Sequence, residues 1–211
     1  MSNLSKDIYI LGGPNGAGKT TAAKVLLPQK LPVEFFVNAD EIARRIAPGN
    51  PDTAAFEAGR RMIGRIRELI RAEESFAFET TCAAKTYIKL LHDCRVAGWR
   101  VSLLYLWLPS PEYSIARVER RVKEGGHFIP GEVVRRRYHS GLRNMYRLYL
   151  PLADDVTIYD NRDDAMHLIA RRAPDSPLVI LDEELWTRIR RRPGEGFNRS
   201  GNLRCDRQRD G

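Results

Sequence analysis

The sequence predicts an α/β protein with a mostly parallel sheet that is covered by helices on both faces. The first observation is a series of short apolar runs rich in strand-forming residues. These runs are IYIL (8–11), EFFVN (34–38), FAFET (76–80), VSLLYLWL (101–108), VTIYDN (156–161) and PLVIL (177–181). The second observation is that segments with helical periodicity separate most of the runs. Strands that alternate with helices form parallel sheets, and ligands then bind beyond the carboxyl ends of the strands.

The clearest helical segment is PDTAAFEAGRRMIGRIRELIRAEE (51–74). Asn50 and Pro51 fit the N-cap and the first helical position. Apolar residues recur along one stripe of this segment, as expected for a helix that packs on a sheet. The residues of this stripe are Phe56, Ile63, Ile66 and Ile70.

Length and composition predict one folded domain over residues 1–191 and a basic tail over residues 192–211. A chain of 211 residues with 43% hydrophobic content can bury one sizeable core. The tail has almost no apolar residues and many Gly and Arg residues, so we expect it to be disordered.

The sequence also predicts a soluble, cytoplasmic protein with no membrane partner. The N-terminus MSNLSKD contains no apolar stretch, and the longest apolar run, VSLLYLWLP, is too short to span a bilayer. Cys82, Cys94 and Cys205 form neither a disulfide framework nor a metal-ligand spacing. We therefore expect reduced thiols without a catalytic role.

The net charge of +8 is concentrated in two segments. Residues 187–211 carry +5 and residues 117–137 carry +4, so the rest of the chain is close to neutral. A basic tail and one basic segment do not make a continuous nucleic-acid surface. The distribution predicts no nucleic-acid partner and favours a clamp on polyphosphate over residues 117–137.

The segment GGPNGAGKTT fits a phosphate-binding loop, because Gly13 is followed by four residues and then by Gly18, Lys19 and Thr20. Glycines let backbone amides approach phosphate oxygens, and the positive end of the helix that begins near Gly18 adds to the attraction. A strand before the loop and a helix after it argue against a chance match. The predicted nucleotide-binding residues are Gly13, Pro14, Asn15, Gly16, Ala17, Gly18, Lys19, Thr20 and Thr21.

Three side chains of this loop have separate predicted roles. Lys19 reaches the outer phosphates, and we expect it to be partly exposed. The hydroxyl of Thr20 is the predicted ligand of Mg²⁺, and Thr21 adds a contact to the α-phosphate.

Two further predicted strands end in carboxylates. FFVN ends at Asn38, and a helix begins near Glu41, so Asp40 is either a helix N-cap or a group that activates a hydroxyl. These two interpretations can both hold. Glu79 and Thr81 follow the apolar pair of FAFET and form either a solvated strand end or part of a substrate pocket.

Two arginine-bearing helices joined by a glycine turn follow the fourth strand. The first predicted helix carries Arg117, Arg120 and Arg121, and the second carries Arg135, Arg136 and Arg137. The segment, called here the cover (residues 117–137), is either a solvated hairpin or a hinged lid over a nucleotide. We interpret His127 in the connecting turn as structural.

Read in order, GGPNGAGKTT, NADEIA, FETT, YLWLPSPE, RRVKEGGHFIP and RRRYHSGLRN resemble the zeta-toxin family of UDP-N-acetylglucosamine kinases, in its short chromosomal form. The match runs from about Ile8 to Asn161. The resemblance implies a nucleoside-kinase-like fold of the P-loop NTPases. It also implies ATP- and Mg²⁺-dependent phosphorylation of the 3′-hydroxyl of the amino sugar in UDP-N-acetylglucosamine.

The resemblance implies roles for residues that match its motifs. Lys19 and Thr20 hold phosphates and metal, and Asp40 looks like the base for the sugar hydroxyl. Glu79 and Thr81 resemble the E-x-T pair that contacts the substrate.

In the cover, Arg121 and Arg136 look like the two arginines that act on the transferring phosphoryl group. Arg135 or Arg137 could take the place of Arg136. Toxins of this family are inhibited by a small antitoxin whose helix blocks the nucleotide site, and no segment of this chain looks like that helix.

Two other classes of function stay open at this point. One is a kinase for a different hydroxyl, such as another nucleotide sugar, an antibiotic or a polynucleotide end. The other is a nucleotide-dependent binding switch without an acceptor. Asp40 argues against the switch, and the absence of a groove with interleaved aromatics and Lys argues against a polynucleotide substrate.

Overall fold

The computed structural model describes residues 6–30, 33–126, 128–163 and 166–190. One sheet forms the centre of this part of the chain. Its strands are β1 (Asp7–Gly12), β2 (Phe35–Val37), β3 (Phe76–Thr80), β4 (Arg100–Trp107), β5 (Asp155–Asp160), β6 (His167–Arg172) and β7 (Val179–Ile180). They lie in the order β2-β3-β1-β4-β5-β6-β7.

The first five strands of the sheet are parallel, and β6 and β7 add to one edge in antiparallel orientation. The predicted α/β class with a mostly parallel sheet is therefore confirmed. All six predicted strands are present, but β6 was not predicted. Its sequence HLIARR has only three apolar residues and ends in two arginines, which is a weak strand signal.

Helices connect the parallel strands, and one further helix follows β7. They are α1 (Lys19–Lys30), α2 (Ala39–Ile46), α3 (Ala55–Arg71), α4 (Thr86–Val96), α5 (Pro111–Lys123), α6 (Gly131–Asn144), α7 (Leu150–Leu152) and α8 (Glu183–Arg190). A 3₁₀ turn (Pro51–Ala54) precedes α3, and a π-helical segment (Met145–Tyr149) joins α6 to α7. None of the helices in the described ranges is both long and apolar enough to span a bilayer.

The prediction for α3 was correct in position but partly wrong in its buried face. Phe56 is 81% exposed, and the side chain of Asn50 makes no capping hydrogen bond. Because residues 51–54 form a 3₁₀ turn, Phe56 lies in the first turn of the helix and points to solvent. The buried residues of α3 are Ala58, Met62, Ile66 and Leu69.

The core lies on both faces of the sheet. On one face, Phe76, Phe78 and Trp107 pack with α3, α4, the π-helical segment and α8. On the other face, Leu11 and Leu106 pack with small residues of the first loop and of α1. This second packing fixes the start of α1 against the end of β1.

The ends of the central strands lie side by side. Gly12 at the end of β1 pairs with Thr80 of β3 and with Tyr105 of β4. The loops that follow β1 and β3 therefore emerge at one edge of the sheet, where ligands bind in folds of this type. The predicted tail over 192–211 lies outside the described residues.

Candidate functional site

The loop between β1 and α1, called here the P-loop (residues 13–21), is shaped by contacts that need glycine. A Cβ atom on Gly13 would lie 2.5 Å from the carbonyl oxygen of Leu106. A Cβ atom on Gly16 would lie 3.0 Å from the carbonyl oxygen of Ser114 in α5, and its φ is +74°. The loop thus packs between β4 and α5, and its backbone lies at the N-terminus of α1.

Lys19 is the first residue of α1, and its side chain is only 6% exposed. Its Nζ donates a hydrogen bond to the carbonyl oxygen of Pro14 at 2.9 Å and lies 3.6 Å from Oε1 of Glu79. The expectation of a partly exposed lysine was therefore wrong. The side chain folds back along the loop because a carbonyl and a carboxylate are available there.

Glu79 connects three elements at this edge of the sheet. Its Oε2 accepts hydrogen bonds from the hydroxyl of Thr20 and from Nδ2 of Asn38, both at 2.8 Å. With Lys19 beside its other oxygen, the carboxylate is buried in a set of matched partners, which offsets the cost of removing it from water. Glu79 therefore faces the P-loop.

The pair formed by Thr20 and Glu79 fits a Mg²⁺ ion in its chemistry. A hydroxyl and a carboxylate are hard oxygen donors, and Mg²⁺ in nucleotide sites takes one or two protein ligands together with phosphates and waters. No cluster of three or more His, Cys, Asp or Glu side chains suited to a metal occurs in the described ranges. Any metal at this edge would therefore depend on the nucleotide for most of its ligands.

Asn38, and not Asp40, caps helix α2. The Oδ1 atom of Asn38 accepts from the backbone N–H of Asp40 at 2.7 Å and of Glu41 at 3.4 Å. The interpretation of Asp40 as the N-cap was therefore wrong by two positions. Asp40 lies in the first turn of α2, half-buried, with its carboxylate not used for capping.

Arg137 of α6 is half-buried and lies near Asp40. Burial lowers the pKa of the Arg137 guanidinium, and the nearby charge of Asp40 opposes this effect. Arg135 instead pairs with Glu112 at 3.3 Å, and Arg136 is exposed. Of the three consecutive arginines, Arg137 therefore has the position expected of a group that acts at Asp40, whereas the choice of Arg136 stays a prediction.

Helix α6 is packed closely against the end of β3. A Cβ atom on Gly141 would lie 2.2 Å from the carbonyl oxygen of Thr81. Asn144 donates from Nδ2 to the carbonyl oxygens of Cys82 at 3.0 Å and of Ala83 at 2.9 Å. The hydroxyl of Thr81 accepts from the backbone N–H of Ala83 at 3.4 Å, so Thr81 shapes the turn that holds α6.

The first helix of the cover is anchored to the P-loop. Arg117 in α5 donates to the carbonyl oxygens of Asn161 at 2.8 Å and of Arg162 at 3.2 Å. Asn161 in turn donates from Nδ2 to the carbonyl oxygen of Ala17 at 2.7 Å. These bonds tie α5, the P-loop and the end of β5 together, so the body of α5 is part of the fixed site.

Arg121 lies one helical turn after Arg117 and hence on the same side of α5. It is half-buried, and its carbonyl oxygen accepts from the backbone N–H of Gly126 at 2.8 Å. The hinge proposed for the cover stays a prediction. His127 lies outside the described residues.

A family model described as AAA domain matches residues 8–147, which is more than half of the chain. The chain belongs to the AAA domain family. A relative from Haemophilus influenzae, described as an uncharacterized protein, is 34% identical over 126 residues, which cover 60% of this chain and 88% of the relative.

Solved structures show the fold of this AAA domain. The PezAT chromosomal toxin–antitoxin system of Streptococcus pneumoniae contains a chain that matches with a TM-score of 0.59 at 18% identity, over 79% of this chain and 72% of that one. The AvrRxo1-ORF1:-ORF2 structure with ATP matches with a TM-score of 0.69 at 17% identity, over 89% of this chain and 64% of that one. The predicted resemblance to P-loop kinases of the zeta-toxin type is confirmed as a likeness of fold.

The buried thiol of Cys82 lies beneath the P-loop of this AAA domain. A Cβ atom on Gly12 would come within 3.0 Å of its Sγ atom. Burial raises the pKa of Cys82 to about 12, although the charge of Lys19 acts in the opposite direction. The thiol is therefore neutral near pH 7, and it fills space where the loop leaves β1.

Four positions of the site were not predicted from the sequence as site residues: Asn38, Gly141, Asn144 and Asn161. The clearest missed signal is Gly141, because a glycine inside a helix costs up to about 1 kcal/mol and often marks a close backbone contact. Asn38 carries the standard N-cap signal one residue before α2. For Asn144 and Asn161 the local sequence contains no such signal, since their partners are more than 60 residues away.

Proposed function

We propose that the protein is an ATP-dependent kinase that phosphorylates a hydroxyl of a small molecule, with the 3′-hydroxyl of the amino sugar of UDP-N-acetylglucosamine as its acceptor. The observation that carries the proposal is the position of Asp40. Asp40 lies in the first turn of α2, directly after β2, and its carboxylate is not used as a helix cap. Arg137 lies near it. A binding switch has no use for such a group.

On this proposal the P-loop binds the phosphates of ATP through its backbone amides and through Lys19. Lys19 exchanges its bond to Pro14 for the outer phosphates, which lie within reach of the same side chain. Thr20 and Glu79 are the residues that would hold Mg²⁺, which neutralises phosphate charge when bound.

Asp40 orients the acceptor hydroxyl and accepts its proton as the new bond forms. The hydroxyl oxygen attacks the γ-phosphorus, and the bond to the oxygen that bridges the β- and γ-phosphates breaks. ADP leaves with that oxygen. Arg121 and Arg137 approach from the cover and offset the charge on the transferring group.

The choice of acceptor rests on the sequence motifs. Thr81 follows β3 and Asp40 follows β2, and these two strands are neighbours in the sheet. On this proposal the sugar lies between the two residues, next to the γ-phosphate. The direct bonds of Glu79 to Thr20 and Asn38 favour a role on the nucleotide side, so we propose that Thr81 and Asp40 contact the acceptor. Other nucleotide sugars, an antibiotic or a polynucleotide end are the alternatives to be compared.

The test is ATP consumption with and without an acceptor. Purified protein with ATP and Mg²⁺ should release ADP slowly alone, and at least about 10²-fold faster with UDP-N-acetylglucosamine, since a bound hydroxyl replaces water. Mass spectrometry of the sugar nucleotide should show one added phosphate. An equal rate with and without every acceptor tested would reject the kinase, whereas a response to another hydroxyl compound would reject only this acceptor.

We also propose an antitoxin protein as a partner of this chain. The basis is the PezAT structure, which is described as part of a toxin–antitoxin system. The test is expression of the protein in a bacterial host, with Asp40→Asn as the matched inactive variant. Growth arrest by the wild type but not by the variant would support a toxin that needs an antitoxin, and unimpaired growth with both would argue against it.

A further inference from the structure

We propose that a cavity behind helix α6 is a second ligand site, which binds a nucleoside phosphate. The cavity has a volume of about 900 Å³ and lies between the end of β4, the outer side of α6 with the π-helical segment, and α8. Sites for small molecules typically have volumes of about 300–1,000 Å³. The cavity is thus large enough for a mononucleotide.

This cavity is separate from the site at Asp40. Arg137 lies near Asp40 and Gly141 contacts Thr81, whereas Tyr138 and Leu142 of the same helix line the cavity. Residues at i and i+4 share a face of a helix, so the two sets lie on different faces of α6. A ligand in the cavity would touch α6 without touching the proposed acceptor.

The charge of the cavity selects an anion. Arg143, Arg147, Arg188 and Arg190 line it, and its described lining includes no Asp or Glu. Among the residues that the structure describes, none of these four arginines forms an ion pair with a carboxylate. Guanidinium groups bind phosphate oxygens in a two-pronged geometry, so a phosphate group supplies the missing partner.

The half-buried rings of His139 and Tyr146 and the half-buried guanidinium of Arg188 offer planar surfaces to a ligand in the cavity. The Arg188 guanidinium lies 5.4 Å from the centre of the Trp107 ring. Trp107 and Tyr138 are almost fully buried, and the hydroxyl of Tyr138 donates to the carbonyl oxygen of Leu108 at 2.7 Å, so these two residues form the rigid wall of the cavity. Bases stack on such aromatic and guanidinium planes, so a ligand that carries both a base and a phosphate fits this lining.

The sequence that follows Arg190 is basic. Residues 191–211 contain six arginines and three acidic residues, so their net charge has the same sign as the cavity. An anionic ligand from solution would complement the positive charge of the arginines that line the cavity.

The experiment is calorimetry on the full chain with the P-loop saturated by a non-hydrolysable ATP analogue and Mg²⁺. The probes are 5′-AMP, 5′-GMP, adenosine and inorganic pyrophosphate. We expect one equivalent of 5′-AMP or 5′-GMP to bind in addition to the ATP analogue. Adenosine, which lacks the phosphate, and pyrophosphate, which lacks the base, should each bind at least about tenfold more weakly. Pyrophosphate that binds as tightly as the nucleotides would overturn the nucleoside assignment.

Two double variants locate the binding. Arg143→Ala with Arg147→Ala should raise the Kd of the second equivalent at least about tenfold and leave the first equivalent unchanged, because two charge-assisted hydrogen bonds are lost. Arg67→Ala with Arg71→Ala removes two exposed arginines at the same spacing on α3 and should change neither. The site would be overturned if the wild type bound no 5′-AMP or 5′-GMP beyond the ATP analogue. It would also be overturned if this second binding had the same Kd in the Arg143→Ala, Arg147→Ala variant.

Discussion

The P-loop side of this AAA domain and the proposed acceptor side, at Asp40 and Arg137, are built in different ways. On the P-loop side, Lys19, Thr20 and Glu79 are bonded to one another or to the backbone, and Lys19 is almost fully buried. On the proposed acceptor side, Asp40 and Arg137 are half-buried and lie near each other.

The difference fits the functions proposed for the two sides. The P-loop side is organised before any ligand arrives, which reduces the cost of binding the polyphosphate. The acceptor side keeps its charged groups near one another and open to a third partner. Substitutions should therefore affect both stability and turnover on the first side, but mainly turnover on the second.

The largest expected effect is that of Lys19→Ala. Phosphoryl transfer should fall by at least about 10³, in the range known for charged groups at the γ-phosphate. Because Lys19 is buried next to Glu79, the variant should also lose about 1–3 kcal/mol of stability, and circular dichroism should show an unchanged fold with a lower Tm. Lys24→Ala, an exposed change on the same helix, is the control. Normal turnover in Lys19→Ala would mean that the P-loop is not the catalytic nucleotide site.

The next effect is that of Asp40→Asn. Since Asn38 is the helix cap, the substitution should hardly change the Tm, yet transfer should be at least about 10²-fold slower, the low end for loss of a general base. Calorimetry on the same preparation should show that ATP and UDP-N-acetylglucosamine still bind. Glu41→Gln, in the same helical turn, should keep wild-type turnover. Loss of sugar-nucleotide binding in Asp40→Asn would make Asp40 an anchor for the substrate and not a base.

The cover arginines should have effects of about 10² on turnover, by comparison with arginines that act on transferring phosphoryl groups. We expect this loss for Arg121→Ala and Arg137→Ala, and less than about threefold for Arg136→Ala, an exposed position where changes are usually small. Steady-state kinetics with varied ATP would separate turnover from KM. A larger loss for Arg136→Ala than for Arg137→Ala would reverse the assignment.

The smallest expected effect is that of Asn38→Ala, which we expect to change stability and not turnover. Asn38→Ala removes the cap of α2 and a partner of Glu79, and should cost about 1–2 kcal/mol. The resulting fall in Tm is about 2–4 °C for each kcal/mol in a chain of this size. Asn50→Ala is the matched control, because the side chain of Asn50 makes no capping bond. Equal Tm values for the two variants would contradict the cap assigned to Asn38.

The sequence predicts the fold and the P-loop well because their signals are local. The glycine spacing of the P-loop and the apolar strand runs are readable within a few residues. Phe56 and β6 were misjudged because periodicity does not reveal a 3₁₀ turn or an edge strand with few apolar residues.

The links between distant parts of the site could not be read in the same way. The choice among Arg135, Arg136 and Arg137 depends on the rotation of α6, which is set by the approach of Gly141 to Thr81. The anchoring of α5 depends on the contact of Asn161 with Ala17, across 144 positions of sequence. Such contacts form only when distant parts of the chain pack together, so the local sequence contains little signal for them.

The contact between Lys19 and Glu79 makes the resting P-loop nearly electroneutral at its deepest point. When ATP binds, Lys19 therefore exchanges Glu79 for a phosphate as its partner. We expect Lys19 to bind an anion tightly only when the ligand also brings a positively charged partner for Glu79. A simple anion such as sulfate cannot do so, since it brings no cation for the carboxylate. We expect Glu79→Gln to bind free sulfate more tightly than the wild type by calorimetry, and weaker binding by the variant would contradict this view. On the proposed function, the ion pair makes the P-loop of the wild type prefer polyphosphates that carry a metal ion over simpler anions.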